Sequence, residues 1–334
     1  MIERFIYTPE NKILTELWKT NLQKLQKSGK PIEIDQENGY LKLTCTAKSK
    51  KINTKTLQAL NFLLAVYQNS NNKDAVIISP VTFGEYANIT DTGAAKARLK
   101  QILLDFSKSY KFYIKYTPKK LQAKENAILC KTDNEKQVKQ KIRKFQAEIN
   151  NKPLIAYYDI TKSGDYEIYY NEQWREYIAT MYKMPFSNRA FFIDNKVAAH
   201  MYYYTCINYE MNYKNPNRLN TISFPTLKNN NPHISSNYDE HYKRDIIIPF
   251  VNGLKYLSDN RLVNFSIVDK CGDTYTADKV LSMKMEKFIG LRMYIDYSRF
   301  PSDIEKQKDE KHREHIEKAK LATNSAKLAN AKCG

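Results

Sequence analysis

The chain has 334 residues and a formal net charge of +18, with 42% hydrophobic and 12% aromatic residues. That length exceeds one small module and that hydrophobic content supports sizeable cores, so a disordered polymer is excluded and two domains with extensions are expected. The charge is uneven: residues 1–183 carry 31 Lys or Arg against 19 Asp or Glu, residues 184–300 carry 15 against 11, and residues 301–334 carry 8 against 6. A polyanion held on folded surfaces suits that placement better than a detachable basic tail does.

The cysteines, Cys45, Cys130, Cys206, Cys271 and Cys333, form no C-x-x-C pair. Neither a zinc site nor a disulfide framework is expected, and a reducing cytoplasm is the natural home. The opening MIERFIYTPE lacks the apolar core of a signal peptide and no apolar run approaches membrane-spanning length, so no membrane association is expected.

In chain order, Ile13, Leu14, Leu17, Trp18, Leu22 and Leu25 predict a short helix that stops at Ser28-Gly29-Lys30-Pro31. Residues 32–46 alternate as a hairpin turned at Asn38-Gly39. A helix over 54–69 follows, with Leu57, Leu60, Leu64 and Tyr67 on its apolar face. Ser79 can cap the next helix and Pro80 suits its first position. Asn88-Ile89-Thr90-Asp91 breaks the pattern, and Thr90 or Asp91 can cap a third helix. In that helix Ala95, Leu99, Ile102, Leu103 and Phe106 share one face at helical spacing. Gly93, Ala94, Ala97, Lys100 and Gln101 lie opposite, with Lys96 and Arg98 at the edges.

Small residues ringed by cations and amides suit close approach to a DNA groove. Strands at Phe112–Tyr116 and Ala127–Cys130 would form a β-wing whose tip, Lys119 and Lys120, neutralises phosphate. A basic helix is expected after it, with Val138, Ile142, Phe145 and Ile149 inward. A strand pair turned at Lys162-Ser163-Gly164 and a helix over 171–182 close this half. Asp159, Asp165 and Glu167 could hold a divalent ion, but acidic groups are ordinary around a hairpin turn.

The second half repeats the plan. A helix over Val197–Met211 is followed by a loop over 212–220 and a short helix entered at Ser223 with Pro225. Asn237 then caps a long helix with Ile246, Phe250, Leu254 and Leu257 inward and His241, Arg244, Ile248, Asn252 and Lys255 outward. Pro249 should kink that helix or start a second one after Ile248. Strands at Leu262–Val268 and Phe288–Tyr297 would make a second wing, connected through Cys271-Gly272. The expected architecture is therefore α+β: two tandem winged-helix domains, 1–183 with an N-terminal extension and 184–300, then a solvated helical tail over 301–334.

Tyr202–Tyr204, Asn220/Ile222/Ser223, Arg244/Ile247/Ile248/Pro249/Phe250 and Leu254/Leu257 resemble the pattern of the plasmid replication initiator (Rep) proteins with tandem winged-helix domains. The strand pair and helix at 157–179 look like the end of that family's first domain, and the likeness covers roughly residues 54–297. It implies binding to direct repeats at a plasmid origin, opening of the duplex and recruitment of host replication proteins such as helicase. It also implies a homodimer in equilibrium with a monomer, with the dimer repressing its own gene. Much of the base reading would fall to the second long helix, to His241, Arg244 and their neighbours. The DNA-contacting set expected here is Thr92, Gly93, Lys96, Ala97, Arg98, Lys100 and Gln101, the wing lysines Lys119 and Lys120, and Tyr238, His241, Lys243, Arg244 and Lys255.

No G-x-x-x-x-G-K-[ST] loop and no His-apolar-His pair is present, so no enzyme activity and no cofactor are expected. The alternatives are a winged-helix transcriptional regulator or autorepressor, a DNA nickase or nuclease, and a scaffold that binds protein instead of DNA.

Overall fold

A computed structural model describes residues 5–10, 12–20, 31–36, 39–46, 52–116, 147–212, 220–235, 241–298 and 300. The chain opens with β1 (Phe5–Glu10), α1 (Lys12–Lys19) and the hairpin β2 (Ile32–Gln36) and β3 (Gly39–Cys45). The central helix α2 (Thr54–Asn69) begins at a capping box, in which Asn53 accepts from the Thr56 amide and the Thr56 hydroxyl accepts from the Asn53 amide. Its apolar residues run all round rather than along one stripe: Leu57, Ala59, Leu60, Phe62, Leu63, Leu64 and Ala65 are all buried. A helix of that kind belongs inside a core. Its buried polar groups are satisfied, Gln58 donating to the Ile193 carbonyl at 2.7 Å and Asn61 accepting from the Thr8 hydroxyl at 2.6 Å.

Next come β4 (Val76–Ile78), α3 (Pro80–Ala87) and α4 (Thr92–Leu104), which runs through a π-helical turn at Asp105–Ser109 into β5 (Tyr110–Tyr116). The first half ends with β6 (Ala147–Lys152), β7 (Ile155–Ile160), β8 (Tyr166–Tyr170), α5 (Glu172–Ala179) and β9 (Tyr182–Ser187). Two sheets form here, ordered β2-β3-β5-β6 and β4-β8-β7, and β1 pairs antiparallel with β9.

Two expectations for the first half are corrected. β5 pairs with β3 on one side and β6 on the other, so it is an inner strand of a four-stranded sheet and not one arm of a two-stranded wing. The end of the expected basic helix is strand: Ile149 is buried in β6 opposite Ile114. The rest of that helix, Ala127–Cys130 and the Asn38 side of the hairpin turn lie outside the described residues, as do residues 301–334.

The second half has α6 (Lys196–Asn212), β10 (Thr221–Ser223), α7 (Phe224–Asn229), a π-helical turn at Lys243–Ile247 and α8 (Ile248–Asp259). It closes with β11 (Asn264–Val268), β12 (Thr274–Tyr275), α9 (Ala277–Leu281), α10 (Met285–Phe288) and β13 (Arg292–Asp296), the sheet being ordered β10-β13-β11-β12. Phe288, expected to start the last strand, instead ends α10.

A common order occurs twice once intervening elements are set aside. A helix, a three-residue strand, two helices and a strand pair appear as α2-β4-α3-α4-β7-β8, with β5 and β6 between α4 and β7, and as α6-β10-α7-α8-β11-β13, with β12, α9 and α10 between β11 and β13. In each, the three-residue strand pairs antiparallel with the last strand. The two repeats share one core. The 183/184 boundary falls inside β9, and Trp18 of α1 stacks on Tyr203 of α6 with ring centroids 4.3 Å apart. At the α6–α8 crossing a Cβ on Gly253 would come within 2.8 Å of Val197, so glycine sets the helix spacing there.

Candidate nucleic-acid interface

The α3–α4 turn is specified residue by residue. Ser79 Oγ accepts the Thr82 amide at 2.9 Å with Pro80 in the first helical position. Asn88 takes a left-handed conformation (φ 54°) that ends α3, and the Ile89 amide closes back on the Gly84 carbonyl at 2.9 Å. Asp91 then caps α4 by accepting from the Ala94 amide at 2.6 Å. A Cβ on Gly84 would lie 2.6 Å from the Ile89 carbonyl oxygen, so the turn closes this tightly only on glycine.

Burial of Ala95, Leu99, Leu103 and Phe106 fixes the rotation of α4. Thr92, Gly93, Lys96, Ala97, Lys100 and Gln101 are then exposed together. Gln101 donates to Asp105 Oδ1 at 2.8 Å. Arg98 is placed apart from this row: it is half-buried, with its guanidinium carbon 4.8 Å from the Phe192 ring centroid. Burial lowers its pKa, and Asp194 opposes that effect. It joins α4 to the segment that enters the second repeat.

In the second repeat the Ile248 amide reaches back to the Lys243 carbonyl, five residues away, in the π turn. Pro249 has no N–H to offer the Asp245 carbonyl, which instead accepts from the Ser235 amide at 3.2 Å. The proline thus sits at the start of α8, as its chemistry predicts. Ile246, Phe250, Leu254 and Leu257 are fully buried, which turns His241, Lys243, Arg244, Ile248 and Asn252 outward. Arg244 holds Asp245 through two bonds, at 2.7 and 2.9 Å, and this contact lowers the Asp245 pKa. Lys255 is partly exposed and pairs with Asp278 at 2.7 Å.

Tyr238, Lys119 and Lys120 lie outside the described residues. The β7–β8 turn holds Lys162 at its tip, with Gly164 at φ 85°. This is the hairpin that pairs with the three-residue strand, and it was not among the expected contacts. A shared signal marks both three-residue strands: Ile78-Ser79-Pro80 and Ile222-Ser223-Phe224-Pro225 each place a serine cap and a proline after a β-branched residue.

The acidic trio Asp159, Asp165 and Glu167 is not gathered into a metal site; Asp165 accepts from the Ser163 hydroxyl at 2.8 Å. Among the described residues no group of three or more His, Cys, Asp or Glu side chains could hold a metal ion, and no helix is long and apolar enough to cross a membrane.

No protein-family model matches the chain and no curated protein matches it. Two solved structures of RctB are similar to it at 10% identity. One, of domains 2 and 3, has a TM-score of 0.42 and the match covers 80% of this chain and 90% of that one. The other, of domains 2–3, has a TM-score of 0.31 and covers 70% and 78%.

Proposed function

We propose that each repeat is a winged-helix unit and that the chain is a sequence-specific duplex-DNA binder that initiates plasmid replication. In this reading α4 and α8 lie in successive major grooves and the β7–β8 and β11–β12 turns are the wings. The observation that carries it is the shared order of a helix, a short strand, two helices and a strand pair closed by that short strand, with an outward row of Lys96, Lys100 and Gln101 on the third helix of the first repeat. Small residues at Gly93 and Ala97 let the backbone of α4 approach the groove, and the cations neutralise phosphates. The Rep-like residue pattern adds origin repeats, duplex opening, host replication proteins and a monomer–dimer balance to the proposal. The protein works by binding, without a catalytic step of its own.

Footprinting on DNA flanking the gene, at near-physiological salt with competitor DNA, tests this. Protection repeating in phase over several direct repeats is expected. One protected palindrome over the promoter would replace the initiator with a transcriptional regulator. No protection above random DNA would overturn both.

A further inference from the structure

Resting on the DNA-binding reading above, we propose that α8 reads thymine: Ile248 contacts a thymine 5-methyl group in the major groove, and Asn252, one turn on, pairs with an adenine edge. The two outward helices present different chemistry. The α4 row is small residues, lysines and an amide, with no branched apolar group. The α8 row places Ile248, 44% exposed, between Lys243 and Arg244, with His241 beyond them, and the amide of Asn252.

Ile248 is not a core residue displaced by a register slip. Its neighbours Ile246, Ile247 and Phe250 are all fully buried, and the π turn and Pro249 fix the rotation of the helix at this point. A large apolar side chain is thereby held in water beside cations, a position that gains from an apolar feature on a polyanionic partner. In the major groove that feature is the thymine methyl.

The neighbouring polar groups divide the work. Arg244 has its fork engaged by Asp245, and Lys255 is paired with Asp278, so both serve charge and positioning. The Asn252 side chain makes no hydrogen bond within the described residues. It offers one donor and one acceptor in the geometry that matches adenine N6 and N7. Residues four apart on a helix are separated by about 6 Å, under two base-pair steps of about 3.4 Å. The thymine and the adenine should therefore fall within two base pairs of each other.

The test begins with selection of duplexes from a random library by the full chain. Binding is then measured on the best duplex with each thymine replaced in turn by deoxyuridine, which removes only the 5-methyl group. Wild type should lose about fourfold at one thymine, the effect of burying one methyl-sized group. Ile248→Ala should be insensitive at that same position while keeping its response elsewhere, and Ile248→Val should restore part of the sensitivity. Asn252→Ala should relax the preference at an A·T pair within two base pairs. Enriched sequences with no methyl-sensitive thymine, or the same sensitive thymine in wild type and Ile248→Ala, would overturn this inference and leave the DNA-binding reading standing. No enrichment at all would overturn both.

Discussion

Gly84 is the residue on which the placement of α4 depends most sharply. Substituting alanine puts a Cβ 2.6 Å from the Ile89 carbonyl oxygen, and the same peptide segment donates the Ile89 amide to the Gly84 carbonyl at 2.9 Å. The contact is with backbone, so no side-chain rotation relieves it. The turn must open by the best part of an ångström. Overpacking of this kind costs about 1–3 kcal/mol, and weakening the turn's hydrogen bond costs about 1 kcal/mol more. Alanine in a helix recovers about 1 kcal/mol. The net expectation for Gly84→Ala is a loss of about 1–3 kcal/mol. Urea unfolding followed by circular dichroism measures it, with Gly93→Ala as the control, since a Cβ there meets only the Asp91 carboxylate at 3.3 Å. DNA affinity should fall for Gly84→Ala even under conditions where the variant is fully folded, because α4 is re-aimed. A Gly84→Ala protein as stable as wild type, with unchanged DNA affinity, would refute the reasoning.

Two further outcomes are expected. Arg98→Ala should lose about 0.5–1 kcal/mol of stability through its contact with Phe192, and should leave the salt dependence of DNA binding unchanged, unlike the exposed lysines of the same helix. Acid should loosen the joint between the repeats. His233, which shares a 2.8 Å hydrogen bond with the Thr54 hydroxyl, has its pKa lowered to about 4 by burial and by Lys196. His200, 4.9 Å away between ring centroids, is held well below 6.5 by burial and by His233. Both folded-state values lie below the unfolded one, so the unfolded chain binds the extra protons. Their contribution to stability is full above about pH 6.5 and is lost as the pH drops toward about 4. Urea midpoints across that range should fall less steeply for His233→Asn than for wild type, and equal slopes would contradict the assignment.

The longer helices are legible in the sequence because their signals are local, whereas the short α9 and α10 are not. Ser79-Pro80 and Asp91 mark the starts of α3 and α4, and the spacing of Ala95, Leu99 and Leu103 gives the rotation of α4. Pairing is not local, and there the reading fails. β4 and β10 are three residues each, too short for alternation to declare them, yet they pair with the last strand of each repeat and so decide which strand pair closes it. Without β4, the β5 segment is taken for a wing, when its edges are already filled by β3 and β6. Ile149 shows the same limit, since its spacing from Phe145 fits a helix stripe as well as a strand. In the candidate interface, the exposed row of α4 follows from helical periodicity. The turn of Arg98 toward Phe192 does not, because its partner lies 94 residues along the chain and belongs to the connector between repeats.

The central claim, that α4 and the start of α8 lie against duplex phosphate, is tested most directly by the salt dependence of equilibrium binding to the footprinted duplex. Wild type is compared with Lys96→Ala, Lys100→Ala and Lys243→Ala, singly and together. Each substitution should weaken binding to all sequences and reduce the slope of log affinity against log salt by about 0.9, or about 2.7 for the triple variant. A triple variant with the wild-type slope would contradict the claim and place the DNA on another face.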